Sequence, residues 1–121
     1  MNWNAIRLEL AGTSDFPEGS AGRAYLLRLP LDEGGRIDAA ALACEPGQAI
    51  VRRFWPNEPD LTGRVVKTDR GFMFRYENGA ASKAGTLSID RDPIRLGARV
   101  TVTDSDGQRL PFRVAGLRQL A

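Results

Sequence analysis

Histidine is absent from this sequence, and its absence excludes much of the chemistry open to a small protein. Without imidazole there is no Ser-His-Asp or Cys-His nucleophile, no histidine-ligated zinc and no ordinary general base near neutral pH. The single cysteine, Cys44, cannot form an internal disulfide, a thiolate zinc site or an iron–sulfur cluster. At the predicted end of a helix it is expected to be a small, half-buried side chain. We therefore expect no cofactor and favour a protein that is not an enzyme.

Long apolar runs are absent too. The longest, residues 39–44, is far shorter than the roughly 20 residues that a membrane-spanning helix needs. The first residues carry neither the basic region nor the apolar core of a secretion signal. The 121 residues, 42% of them hydrophobic and 26% charged, suit one globular domain. We expect a single domain over residues 1–121 that is soluble and cytoplasmic and has no membrane partner.

Lysine is scarce, with two residues against fifteen arginines, and the formal net charge is only +2. So small a net charge does not by itself indicate nucleic-acid binding, although the basic excess lies in residues 61–121. Arginine suits planar, bidentate recognition of carboxylates and phosphates, so an anion site stays open. The abundance of arginine, alanine and glycine is equally typical of a GC-rich bacterial genome.

Alternation of apolar and polar residues dominates what is present. A period of two with one apolar face predicts half-buried antiparallel strands, and glycines separate such segments throughout residues 61–121. The pattern predicts an all-β fold, a small antiparallel barrel or barrel-like sandwich of about eight strands. The predicted strands cover residues 4–10, 23–29, 48–55, 64–68, 72–77, 87–90, 100–103 and 110–115.

One short helix interrupts the predicted strands. Asp38 can cap the alanine-rich segment Ala39–Cys44, and Pro46 ends it. Ile37, just before the cap, and Leu42, within the helix, have the spacing of a hydrophobic staple. We expect this helix to plug one end of the β structure.

Three predicted irregularities connect or bend the strands. Asp106-Gly107 is typical of a two-residue hairpin, and residues 69–71 of a hairpin loop with Gly71 in the left-handed conformation. The alternation of the last strand breaks at Gly116, which predicts a β-bulge.

Two acidic clusters suggest a metal or catalytic site only weakly. Residues 104–107 resemble part of a calcium loop, but Val102 and Arg113 occupy two of the ligand positions, so the hairpin is favoured. Asp90 and Asp92 would share one strand face and could act as acid and base or hold a metal. The proline that follows them favours a solvated turn instead. A carboxylate-based enzyme is our third hypothesis.

The loop of residues 13–23, TSDFPEGSAGR, is rich in small residues and ends in an arginine. The backbone N–H groups of such a loop could hold a phosphate. It lacks the Gly-Lys-Ser/Thr ending and the strand–turn–helix setting of a phosphate-binding loop, so an ordinary surface connection is favoured.

The most unusual segment is residues 52–63, RRFWPNEPDLTG. Its prolines stiffen the chain, and rigid loops on a β scaffold commonly carry function. Because Trp and Arg are enriched at binding hot spots, Trp55 is the candidate anchor for a second copy of the chain or for another protein or peptide. Alternatively, Phe54 and Trp55 fill a barrel end, as large aromatic side chains commonly do. The candidate interaction surface comprises Arg52, Arg53, Phe54, Trp55, Asn57, Glu58 and Asp60.

The outward positions of four predicted strands carry arginine. If the strands align, these side chains form a basic stripe of the kind that barrels use to bind single-stranded nucleic acid. The small net charge and the lack of lysine clusters argue against this interpretation. The candidate stripe comprises Arg7, Arg28, Arg75 and Arg113.

The segments FPEGSAGRAYLLRLPL, RRFWPNEPDLTG and RLPFRV resemble a family of short, uncharacterised bacterial proteins over nearly the whole chain. The resemblance implies a bacterial origin and a small independent domain, and it implies no activity, cofactor or partner. The segment IRLGARVTVTDSDGQRLPFRV is also similar to the closing hairpin of many small barrels of the SH3-like, OB-like and double-psi types. That pattern is generic and carries no site residue.

These observations favour a non-catalytic binding or protein-interaction module. The alternative is a weak nucleic-acid or anion-binding barrel that uses its outward arginines. The carboxylate-based enzyme stands third.

Overall fold

Eight antiparallel strands close into a barrel in the residues that the computed structural model describes, which are 2–69, 71–77, 85–88, 93–103 and 107–120. Each strand pairs with its neighbours in sequence, and the last pairs with the first. This confirms the predicted all-β fold. The strands are β1 (Trp3–Leu10), β2 (Ser20–Pro30), β3 (Ile50–Phe54), β4 (Leu61–Thr68), β5 (Gly71–Tyr76), β6 (Gly85–Ser88), β7 (Arg99–Thr103) and β8 (Arg109–Gln119).

The alternation of the strands fills the barrel interior with apolar side chains. In β1 every second residue is buried, so that Ile6, Leu8 and Leu10 point inward. Because an eight-stranded barrel is just wide enough for its own side chains, the interior is a packed core. The core also contains Tyr25, Leu27, Leu29, Leu31, Leu42, Ala49, Val51, Val65, Phe74, Ile94, Val100, Val102, Phe112 and Val114.

Strand β3 obeys the same alternation, although its sequence has charged or aromatic residues at both parities. Val51 is fully buried, and Arg53 on the same face has a side chain that is only 14% exposed. Trp55, just beyond the strand, continues this inward face and packs against the core. Arg52 and Phe54 occupy the outward face.

One end of the barrel lies against the long connection between β2 and β3, and we call it the helix end. This connection contains α1 (Ala39–Cys44), whose predicted N-cap is confirmed because the Asp38 Oδ1 accepts a hydrogen bond of 3.1 Å from the Ala41 N–H. Leu42 lies in the core, in agreement with a helix that plugs the barrel. Cys44 is exposed, not half-buried as predicted, because the buried face of α1 is formed by Ala41 and Leu42. No helix in the described ranges is long and apolar enough to span a membrane.

Two glycines have the positive φ that the predicted turns require. Gly71, the first residue of β5, has a φ of +127°, and Gly107, just before β8, has a φ of +82°. Arg70 and Asp106, which belong to the same predicted turns, lie outside the described residues. A 3₁₀ turn at Pro46–Gln48 follows α1.

The predicted bulge near the end of β8 is present. Arg7 of β1 pairs with Gly116, whereas the next residue, Leu8, pairs with Val114. Ala115 is therefore the extra residue of the bulge. A Cβ atom at position 116 would lie 3.4 Å from the Arg7 Cβ, which is an ordinary van der Waals contact.

Candidate functional site

The end of the barrel away from α1 carries a group of aromatic and arginine side chains, and we call it the mouth. Here β1 and β3 end, β2 and β4 begin, and the loops of residues 11–19 and 55–60 connect them. Four aromatic rings form a cluster beneath it. The ring centroid of Tyr25 lies 5.1 Å from that of Phe112, 5.3 Å from that of Phe74 and 6.4 Å from that of Trp55. Trp55 is half-buried, so one part of the indole covers the core while the rest borders the mouth.

Arg53 is the first of two arginines that lie against Trp55. Its guanidinium carbon is 4.3 Å from the centroid of the indole ring, and its Nη1 is 3.5 Å from the Glu58 carboxylate. The charge of this inward side chain is therefore balanced twice, by an aromatic face and by a carboxylate.

Arg23 is the second arginine that lies against Trp55, and its environment differs from that of Arg53. Its guanidinium carbon lies 4.0 Å from the centroid of the Phe16 ring and 5.8 Å from that of Trp55. Its Nη1 donates a hydrogen bond of 3.3 Å to the Ser20 Oγ. Within the described residues no carboxylate lies at ion-pair distance from Arg23. Most of the donors on this guanidinium fork are therefore available to a ligand.

Local irregularities bring Arg23 and Phe16 together. The pairing of β1 with β2 shifts register between Glu9 and Leu10, because Glu9 pairs with Ala24 and Leu10 with Ser20. Arg23 lies in the intervening stretch of β2, and such a bulge re-aims side chains.

The loop itself holds Phe16 in place. Its N–H donates to the Thr13 Oγ1 at 3.0 Å, and its carbonyl oxygen accepts from the N–H groups of Thr13 and Gly19. Gly19 has a φ of +79°, and a Cβ atom there would collide with the backbone of Leu10. Only glycine therefore fits this turn without strain.

A pocket of about 350 Å³ opens between this loop and the start of β8, and we call it the mouth pocket. Phe16, Arg23 and Trp55 form an aromatic and cationic wall. Formal charges in its lining sum to one excess positive charge, from two arginines and one aspartate. Its other lining residues are Leu10, Thr13, Ser14, Asp15, Gln108, Arg109, Leu110 and Pro111.

Tyr76 contributes a buried hydroxyl near the same end of the barrel. Burial raises the pKa of Tyr76 well above its usual range, and the charge of the neighbouring Tyr25 raises it further, while Arg53 acts in the opposite direction. The phenol therefore stays neutral at physiological pH and supplies no phenolate as a base. In the described part of the chain, no three cysteine or acidic side chains converge as a metal site would require.

The structure divides the predicted interaction segment between two surfaces. Arg53, Trp55 and Glu58 belong to the mouth, whereas the guanidinium of Arg52 lies 5.2 Å from the ring of Phe54 on the outside of the barrel. The division follows from strand geometry, because successive strand residues face opposite sides of a sheet. Of the remaining candidates, Asn57 has a φ of +63° and Asp60 is exposed.

The four arginines of the predicted basic stripe do not line one side of the barrel. Arg7 on β1 and Arg113 on β8 are neighbours, and both approach Glu9, at 2.8 and 3.7 Å. Arg28 lies on β2, and Arg75 lies on β5, which is four strands away from β1. Arg113, Arg7 and Arg28 therefore lie on the neighbouring strands β8, β1 and β2, and only Arg75 is separated from them. The expectation of a single stripe of four arginines is corrected by the position of Arg75.

Sequence reasoning treated Phe16 and Arg23 as parts of an ordinary surface connection. A signal was present, because Arg23 shares its parity with Tyr25 and Leu27, which both point inward. A charged residue at an inward position near a strand end indicates a polar barrel mouth. The acidic pair Asp90 and Asp92 and the acidic residues at 104 and 106 lie outside the described residues.

Comparison of the chain with protein-family models, with curated proteins and with solved structures finds no match.

Proposed function

We propose that this protein is a non-catalytic binding protein whose mouth pocket holds a small organic anion with a planar, apolar body. The observation that carries the proposal is the position of Arg23. Its guanidinium lies on the ring of Phe16 and beside Trp55, and no carboxylate in the described residues engages it. Mouths of β-barrels are a common place for small-ligand pockets, and about 350 Å³ suits a ligand of modest size.

The chemistry of the lining selects the ligand class. A guanidinium presents a planar fork that matches a carboxylate or a phosphate with two parallel hydrogen bonds. Stacking on Phe16 restrains this fork before the ligand arrives, so less rotamer entropy is lost on binding. The indole of Trp55 and the ring of Phe16 then contact an apolar or aromatic body, while the hydroxyl of Ser14 lies at the rim.

Several observations favour binding over catalysis. The chain contains no histidine, and the phenol of Tyr76 is held neutral. The carboxylate-based enzyme depends on Asp90 and Asp92 and gains no support from the described residues. A cytoplasmic location and a bacterial origin are proposed from the composition and the family resemblance alone.

Calorimetric titration with three matched small molecules tests the proposal. Benzoate is an anion, benzyl alcohol is neutral and benzylamine is a cation, and all three compounds have the same phenyl ring. Benzoate is expected to bind more tightly than either of the others. Replacing Arg23 by Gln is expected to weaken benzoate binding by about tenfold or more, since a charge-assisted pair contributes roughly 1.5–3 kcal/mol.

A control variant, Arg118→Gln, removes an exposed arginine charge near the end of β8 and far from the mouth pocket. It is expected to leave benzoate binding unchanged. Equal affinities for benzoate and benzyl alcohol, or equal losses in the two variants, would refute an anion site at Arg23.

A further inference from the structure

A second surface, independent of the mouth pocket, lies on the outside of the barrel across β1, β2 and β3. We call it the outer groove and define it by Ala5, Leu26, Arg28, Ile50 and Arg52. The strand register sets its pattern, because Arg28 pairs with Ile50 and Leu26 pairs with Arg52. Two aliphatic and two basic side chains therefore alternate on one outward face, each aliphatic residue between two arginines.

The outer groove is concave and apolar at its floor. It encloses about 230 Å³, and its floor is built from aliphatic carbon. Ala5 pairs with Arg28 from the other side, and its small side chain leaves a depression between its larger neighbours. Ala5, Leu26 and Ile50 are each half-buried, although none of them belongs to the hydrophobic core. A shallow cavity of this size accommodates one aliphatic side chain.

The two arginines of the outer groove form no salt bridge with any acidic side chain that the structure describes. Both are exposed, and within the described residues neither has a carboxylate at ion-pair distance. Arg7 and Arg64 differ in this respect, since Glu9 and Glu77 neutralise them at 2.8 and 2.9 Å. The outer groove is therefore a patch of positive charge around an apolar floor, with no salt bridge among the described residues to its two arginines.

Charge and shape together select the occupant. A second copy of the chain, packed face to face, would bring four of these arginines together without a carboxylate, which like-charge repulsion disfavours. Bases of a single-stranded nucleic acid stack on aromatic rings, whereas this floor is aliphatic and the guanidinium of Arg52 lies over Phe54 nearby. An acidic peptide with an aliphatic side chain meets both the charge and the floor.

We propose that the outer groove binds an extended acidic segment of another protein. An aliphatic side chain of the segment occupies the floor between Leu26 and Ile50, and carboxylates on either side of it pair with Arg28 and Arg52. In an extended chain residues i and i+2 share a face, so the recognised pattern is acid, any residue, aliphatic, any residue, acid.

Fluorescence anisotropy with the labelled peptide Ser-Glu-Ser-Leu-Ser-Glu-Ser tests this proposal. The peptide is expected to bind with a Kd below about 1 mM at low salt and more weakly as salt is raised. Replacing both glutamates by glutamine, or the leucine by serine, is expected to weaken binding at least about fivefold. The double variant Arg28→Gln, Arg52→Gln is expected to do the same.

Two controls separate this surface from others. The exposed Arg99 lies on β7, on the far side of the barrel, and Arg99→Gln is expected to leave peptide binding unchanged. Arg23→Gln tests the mouth pocket and is also expected to have no effect, so failure of one proposal leaves the other standing. The proposal is overturned by no binding up to about 1 mM, by equal binding of the glutamine peptide, or by tighter binding of a labelled oligonucleotide.

Discussion

At the scale of single residues, the mouth shows two ways to place an arginine at an inward position. Arg53 has both an aromatic face and the Glu58 carboxylate, whereas Arg23 has aromatic faces and a hydroxyl. A cation near a protein interior is favourable only when its charge is balanced. The charge of Arg53 is therefore balanced without a ligand. In the proposed site Arg23 gains an anionic partner when the ligand enters the mouth pocket, and this difference would distinguish the binding arginine from the structural one.

Asp15 provides a test of the charge in the mouth pocket that does not touch Arg23. It is the one carboxylate among the described lining residues, and it is exposed. Asp15→Asn removes a repulsive charge and is expected to tighten benzoate binding by about two- to fivefold at low salt. The gain is expected to shrink as salt is raised. A variant that binds benzoate more weakly than the wild type would show that Asp15 contacts the ligand directly.

Trp55 serves both the core and the mouth pocket, so its removal is expected to affect stability and binding together. The indole covers Tyr25 and Phe112 but remains half-buried. Trp55→Ala is expected to lower the free energy of unfolding by about 2–4 kcal/mol, which is below the roughly 3–5 kcal/mol of a fully buried aromatic side chain because the indole is only half-buried. Trp55→Phe keeps most of the contact and is expected to lose less than half as much. Urea denaturation measures both, and an unchanged stability in Trp55→Ala would place the indole outside the core.

The buried phenol of Tyr76 leads us to expect that the protein becomes less stable at alkaline pH. Its pKa in the folded protein is raised above the unfolded value of about 10, so the neutral form is favoured by folding. This contribution is complete below pH 10 and is lost as the pH rises beyond it, by up to about 1.4 kcal/mol per pH unit. Tyr76→Phe cannot ionise and is expected to flatten this part of the curve. Parallel curves for the two proteins from pH 9 to 11, by chemical denaturation, would contradict the prediction.

At the scale of elements, the close approach of β4 and β5 depends on Gly63. A Cβ atom at this position would overlap the backbone of Arg75 and Tyr76, and backbone cannot move aside as a flexible side chain can. Gly63→Ala is therefore expected to cost more than about 2 kcal/mol of stability or to prevent folding. Gly47→Ala is the matched control, because nothing lies within 4 Å of its Cβ position and its φ is not positive.

The control is expected to be neutral or slightly stabilising, since alanine reduces the entropy of the unfolded chain. Thermal denaturation of the two variants compares them directly. Equal midpoints would show that β4 and β5 can separate to admit a methyl group.

The elements themselves were largely predictable from the sequence. Alternation located β1, β2 and β8, Asp38 located the start of α1, and a break in parity at Gly116 located the bulge. These signals are local, because side-chain period and capping involve residues within a few positions of one another.

The candidate sites were less predictable, because they depend on distant pairings. Parity shows that Arg52 and Arg53 face opposite ways, but only the register with β2 shows that Arg52 meets Leu26. The approach of Arg23 to Phe16 requires both a register shift and a folded loop. The separation of Arg75 from Arg7 follows from closure of the sheet, which no single strand encodes.

At the scale of the whole molecule, the barrel carries different chemistry on its ends and its outer wall. The helix end lies against α1, the mouth has aromatic rings and arginines, and the outer groove combines aliphatic and basic side chains. Because the interior is packed, ligands reach the outside and the mouth but not the centre. The two proposed sites share no residue and are expected to bind their probes independently.

The central claim is that small organic anions enter the mouth pocket beside Arg23, and nuclear magnetic resonance tests it most directly. Titration of the ¹⁵N-labelled protein with benzoate is expected to shift the amide signals of Phe16 and Arg23 and the indole signal of Trp55. The indole signal of Trp3, near the helix end, is expected to stay in place. Shifts confined to the outer groove or the helix end, or no shifts at concentrations that saturate the calorimetric signal, would contradict the claim.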